Sequence, residues 1–78
     1  MREGITVQST NRGRYALDDA QYGMDLTSGQ PCDIWLEGKW VPGRIEHSGD
    51  GYYFLPAGVG VASVDLREGM KVRIPDYN

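Results

Sequence analysis

The chain has 78 residues, a net charge of −3, one cysteine and one histidine. That length holds a single domain, residues 1–78, and one thiol with one histidine excludes an intramolecular disulfide and a cysteine- or histidine-based zinc site. The positive residues Arg2, Arg12, Arg14, Lys39, Arg44, Arg67, Lys71 and Arg73 are scattered among acids, which counts against the clustered cations that bind nucleic acid by displacing counterions.

So small a domain buries about 60% of its unfolded surface and draws roughly 3–5 kcal/mol of net stability from one core. The unpaired cysteine fits a cytoplasmic protein better than a secreted one. Met1-Arg2-Glu3-Gly4 leads into Ile5-Thr6-Val7-Gln8, not into the apolar run of a secretion signal. The uncharged stretch from Gly51 to Val64 is interrupted by Pro56, Gly58 and Gly60, so no membrane association is expected.

Eleven glycines and four prolines imply many turns. Ile5-Thr6-Val7-Gln8 alternates apolar and polar residues, the pattern of a half-buried strand. Asn11-Arg12-Gly13 is a turn, and Arg14-Tyr15-Ala16-Leu17 returns as a second strand. Asp18 to Leu26 reads as a loop ending in a short extended piece, with Asp18 or Asp19 able to cap one helical turn. Thr27-Ser28-Gly29-Gln30-Pro31 is a turn that leaves Gln30 extended.

The central hairpin, Cys32 to His47, folds back around Glu37-Gly38-Lys39. Cys32, Ile34 and Leu36 share one face of the first strand, and Asp33 and Trp35 the other. On the second strand Val41, Gly43 and Ile45 oppose Trp40, Pro42, Arg44 and Glu46. The charges on Asp33, Arg44 and Glu46 mark the wet side, so Ile34, Leu36, Val41 and Ile45 point inward. Gly43, inward without a side chain, marks a close approach of backbone. His47 to Gly51 is a turn, and Tyr52-Tyr53-Phe54-Leu55 a further strand. Pro56 to Ser63 forms an apolar loop. Val64 to Gly69 holds one helical turn, and Met70-Lys71-Val72-Arg73-Ile74 is the last strand, with Met70, Val72 and Ile74 inward. Five to six antiparallel strands with one helical turn before the last make an all-β fold, a small SH3-like barrel.

Gly38-Lys39-Trp40-Val41-Pro42-Gly43-Arg44-Ile45-Glu46, Asp50-Gly51-Tyr52-Tyr53 and Gly69-Met70-Lys71-Val72-Arg73-Ile74 together resemble a family of short bacterial proteins of unknown function. The resemblance implies an SH3-like fold and an origin in Gram-positive bacteria and their mobile elements, and it supplies no catalytic or binding residues. More loosely, Gly38, Trp40 and Arg44-Ile45 are similar to Tudor and Agenet hairpins.

No nucleophile–base pair, phosphate loop, metal motif or paired carboxylate is present, so neither enzymatic activity nor a cofactor is expected. Gly58-Val59-Gly60 lacks the following helix of a dinucleotide site. Cys32 reads as a small buried hydrophobe and His47 as an exposed turn residue. The chemistry that stands out is aromatic. Trp35, Trp40 and Tyr52 on one face, with Arg44 beside them, form an expected protein-binding site, because aromatic side chains give large contact area at low entropic cost. The alternative is that the tryptophans pack on each other across the hairpin. Asp33, Glu37 and Glu46 near Trp40 suggest a cation cage, or a solvated rim paired with Arg44. The expected partner is another protein or a second copy of the chain. Two further readings are nucleic-acid binding through Arg12, Arg14, Arg44 and Arg73, and a phage or mobile-element inhibitor of a host defence protein.

Overall fold

Alternating side chains and turn glycines build eight strands in the computed structural model, which describes residues 2–18, 24–58 and 60–75. In chain order they are β1 (Arg2–Gln8), β2 (Tyr15–Asp18), β3 (Met24–Asp25), β4 (Pro31–Leu36), β5 (Lys39–Ser48), β6 (Gly51–Pro56), β7 (Val64–Asp65) and β8 (Lys71–Ile74). They form one sheet in the order β3-β2-β1-β8-β4-β5-β6-β7, antiparallel at every step. The last strand therefore lies at the middle, and the two chain ends pair as β1 and β8.

The fold is all-β, as expected, with three differences in detail. The strands number eight because two-residue pieces, β3 and β7, extend the sheet at its edges. Among the described residues no pairing joins β3 to β7, so the sheet curls without closing into a hydrogen-bonded barrel. The helical turn expected over Val64 to Gly69 is absent. Val64 and Asp65 pair with β6 instead, and a tight turn at Glu68 and Gly69 follows, with Gly69 at φ 87°. A cap at Asp19 falls outside the described residues.

The β4–β5 hairpin turns in two residues. Leu36 faces Lys39, and both Glu37 (φ 51°) and Gly38 (φ 81°) have positive φ. That combination defines the type I′ turn, whose twist matches its flanking strands. Glu37 occupies a left-handed conformation that costs a residue with a Cβ about 1 kcal/mol.

The inner face carries the core. Ile34, Ile45, Phe54 and Val72 are fully buried, with Cys32, Met70 and Ile74 beside them, while Leu36 and Val41 pack at the margin. Gly43 is the close approach its position suggested. The Phe54 ring lies directly against its Cα, where an added Cβ would meet Phe54 Cζ at 2.6 Å.

In β1 the expected phase is inverted. Thr6 is fully buried and Ile5 is 49% exposed. Buried hydroxyls need partners, and Thr6 has them. Its Oγ1 donates to the Arg67 carbonyl at 2.6 Å and accepts from the Met70 amide at 2.8 Å. Its backbone exchanges two more bonds with Met70 and Gly69. Thr6 thus fastens the turn before β8 onto β1, and the cost is an isoleucine turned to solvent.

Candidate functional site

The outer face of β1, β8, β4 and β5 is built by register. Ile5 pairs with Lys71, and the ladder from Asp33↔Arg73 through Ile34↔Val72 sets Lys71 beside Trp35, which faces Trp40. Ile5, Lys71, Trp35 and Trp40 therefore form one row across four strands. The neighbouring row holds Glu3, Arg73, Asp33 and Pro42. Both tryptophans lie on the face that the charges of Asp33 and Arg44 had marked as wet.

Geometry within the rows is specific. The indoles of Trp35 and Trp40 meet edge to face, with centroids 5.3 Å apart and planes at 76°. Such pairs add about 0.5–1.5 kcal/mol beyond area burial. Each ring carries one of the chain's own cations: the Arg73 guanidinium lies 4.4 Å from the Trp40 centroid, and the Lys71 ammonium 5.2 Å from that of Trp35. Arg73 Nε also donates to Asp33 Oδ2 at 2.8 Å. Trp40 and Arg73 are thus half-buried and mutually ordered, whereas Trp35 is 40% exposed. Packing and exposure coexist on this hairpin: Trp40 holds Trp35 in place, and Trp35 presents its ring to solvent.

Arg44 lies on the same outer face but further along β5, between Pro31 and Leu55. Its Nε donates to Glu46 Oε2 at 3.1 Å, and Ser28 Oγ donates to Glu46 Oε1 at 3.1 Å. These bonds, Arg44's first, hold the Glu46 carboxyl below its ordinary range. Asp33 and Glu46 are therefore engaged by Arg73 and Arg44, which leaves neither free to complete a cation cage at Trp40.

Tyr52 does not join the tryptophans. It sits opposite His47 in the phase of buried Phe54, so it belongs to the inner side and packs against the core. Its ring lies 4.5 Å from that of His47, and the Arg14 guanidinium stands 5.8 Å from its centroid. The expectation of one patch of Trp35, Trp40 and Tyr52 is corrected accordingly. Strand β6 carries no charge between Tyr52 and Leu55 to mark its wet side, so its phase was not readable from sequence. The residues that do complete the patch are Ile5 and Lys71.

Burial pushes the Cys32 thiol up to about 12, with Asp33 adding to the shift, so it is no nucleophile at neutral pH. At the sheet's other end Asp25 accepts from Ser9 Oγ and Asn11 Nδ2, each at 2.6 Å. Those bonds keep its carboxyl below the ordinary 3.8 and tie β3 to the β1–β2 loop. Among the described residues no cluster of three His, Cys, Asp or Glu side chains is placed to hold a metal ion, and no helix is long and apolar enough to cross a membrane.

Comparison with known proteins now places the chain. The family model of a domain of unknown function, DUF5348, matches residues 4–74. The chain belongs to this family. The DUF5348 match takes in β1 through β8 almost entirely, so the tryptophan face lies within it. A crystal structure of a protein from Ruminococcus gnavus is 33% identical to this DUF5348 chain, with a TM-score of 0.66, covering 94% of this chain and 100% of that one. Among curated proteins none matches.

Proposed function

We propose that this DUF5348 domain is a non-enzymatic protein-interaction module that binds a protein partner through the outer face centred on Trp35 and Trp40. The observation that carries the reading is Trp35: a tryptophan 40% exposed at mid-sheet, braced by Trp40 and Lys71, with an isoleucine 49% exposed in the same row beyond Lys71. Exposed apolar side chains that stand singly are ordinary, but an exposed tryptophan braced by a second aromatic ring and a cation has the composition of a binding hot spot. Arg44 lies at the rim of this face, and Tyr52 is outside it. The working setting is the cytoplasm, and on the resemblance in β5, β6 and β8 the domain is read as SH3-like and of Gram-positive, mobile-element origin.

The distribution of cations favours protein over nucleic acid. Arg73 is bound to Asp33, Arg44 to Glu46, and Arg14 lies over Tyr52 on the opposite side of the sheet. Arg44 and Arg73 share the outer face but are each paired with a carboxylate, and Arg14 lies apart from them, so the three offer no unpaired cluster to phosphate.

The test is affinity capture from the native host with the wild-type chain and Trp35→Ala side by side, with circular dichroism on both. The reading expects a partner held by the wild type and lost by a folded Trp35→Ala. Equal capture by both proteins, or an unfolded variant, would remove the site.

A further inference from the structure

Beside the tryptophan pair, Ile5, Trp35, Leu36 and Lys71 together with the turn Arg67-Glu68-Gly69-Met70 line a groove of about 400 Å³, with Lys71 standing between Ile5 and Trp35. Two of the three large hydrophobic side chains exposed among the described residues, Ile5 and Trp35, stand in it. The walls are held rigidly. Thr6, next to Ile5, bonds the Arg67 carbonyl and the Met70 amide, and Met70 is buried beneath. A groove that is already ordered spares a ligand the entropic cost of ordering it.

Its charge is the second observation. Lys71 and Arg67 both line the groove and both are exposed. Neither has a carboxylate partner among the described residues, in contrast to Arg44 and Arg73. Lys71 keeps its ammonium over the Trp35 ring, 5.2 Å from the centroid. Among the described residues Glu68 is the one acid in the lining. In a chain of net charge −3, a groove lined by two cations and one acid around exposed Ile5 and Trp35 is a local inversion of the overall sign.

We propose that this groove takes an acidic peptide segment, one that lays apolar side chains against Ile5 and Trp35 on either side of Lys71 and sets carboxylates against Lys71 and Arg67. The proposal rests on the protein-binding reading above and names the chemistry of the partner. Steering is local, because charges further apart than about 8 Å are screened at physiological salt.

A random dodecapeptide phage library panned against the immobilised full chain tests it. Enriched peptides should carry an apolar residue flanked by Asp or Glu. As a synthetic peptide, the best of them should bind Trp35→Ala about thirtyfold more weakly, the loss of a typical hot spot. It should bind the double variant Lys71→Gln/Arg67→Gln about fivefold more weakly, as expected for two exposed ion pairs. These glutamines remove the charge and keep a polar side chain at exposed positions, and circular dichroism checks the fold of both variants. Neutral or basic peptides that depend on Trp35 but not on the two cations would overturn the acidic assignment and leave the protein-binding face standing. No enrichment, or peptides that bind folded Trp35→Ala as well as wild type, would overturn both.

Discussion

Replacing Gly43 with alanine should destabilise this domain strongly. The new Cβ would collide with the Leu55 carbonyl oxygen and stand 2.6 and 2.8 Å from Phe54 Cζ and Cε1. Neither neighbour can give way cheaply. The carbonyl belongs to a strand locked by the Gly43↔Pro56 and Arg44↔Leu55 pairing, and the Phe54 ring is fully buried. Overpacking a filled core costs about 1–3 kcal/mol, and two simultaneous clashes belong at the upper end. Against a net stability of roughly 3–5 kcal/mol, a loss of about 3 leaves a marginal fold. At about 4–8 °C per kcal/mol for a domain of this size, the melting temperature should fall by about 12–24 °C. Thermal unfolding followed by far-UV circular dichroism reads this directly. Gly49→Ala is the control, since a Cβ there meets nothing within 4 Å and needs no positive φ. It should be neutral or stabilising by about 0.5 kcal/mol. If Gly43→Ala melted within about 4 °C of wild type, the claim that β5 and β6 meet through a backbone-thin contact would be refuted.

Three further outcomes follow from the same packing. Thr6→Val keeps the shape but strips partners from the buried Met70 amide and the part-buried Arg67 carbonyl, and at about 1–3 kcal/mol for the first and about 1 kcal/mol for the second it should cost roughly 2–4 kcal/mol in urea denaturation; an unchanged midpoint would show that water replaces the hydroxyl. Glu37→Asn relieves a left-handed residue in the type I′ turn and should raise stability by about 0.5–1 kcal/mol, whereas a drop in melting temperature would contradict the turn assignment. Cys32 should ignore a thiol reagent at pH 8 in the native state and react fully in denaturant. Its folded value of about 12 exceeds the ordinary 9, so the associated stability is complete below pH 9 and is lost as pH rises toward 12; a fast native reaction would show that the thiol is not buried.

The β4–β5 hairpin was legible because charge and alternation agreed. Asp33, Arg44 and Glu46 marked one face, so Ile34 and Ile45 had to be core and both tryptophans had to be outside. Gly43 was legible for the same reason, as an inward position with no side chain. Where alternation stood alone, phase was lost. Thr6 is inside because its partners are Arg67 and Met70, 61 and 64 residues away in sequence, and no local pattern encodes that distance. Its consequence, the exposure of Ile5, was hidden with it, and so was half of the candidate site. Tyr52 fell on the inner face through a strand with no charge to orient it. The two-residue strands β3 and β7 are too short to carry a period, so the edges and the openness of the sheet come from tertiary pairing.

Trp35 is held by the Trp40 edge-to-face pair, and the proposed function keeps its exposed ring for a partner. Measuring thermal stability and partner affinity together for Trp35→Ala tests it most directly. Removing a ring that is 40% exposed and leaves Trp40 on Arg73 should lower the melting temperature only slightly, by about 4–8 °C for the lost edge-to-face pair, while partner affinity falls at least tenfold. A folded Trp35→Ala that binds its partner with wild-type affinity would contradict the account.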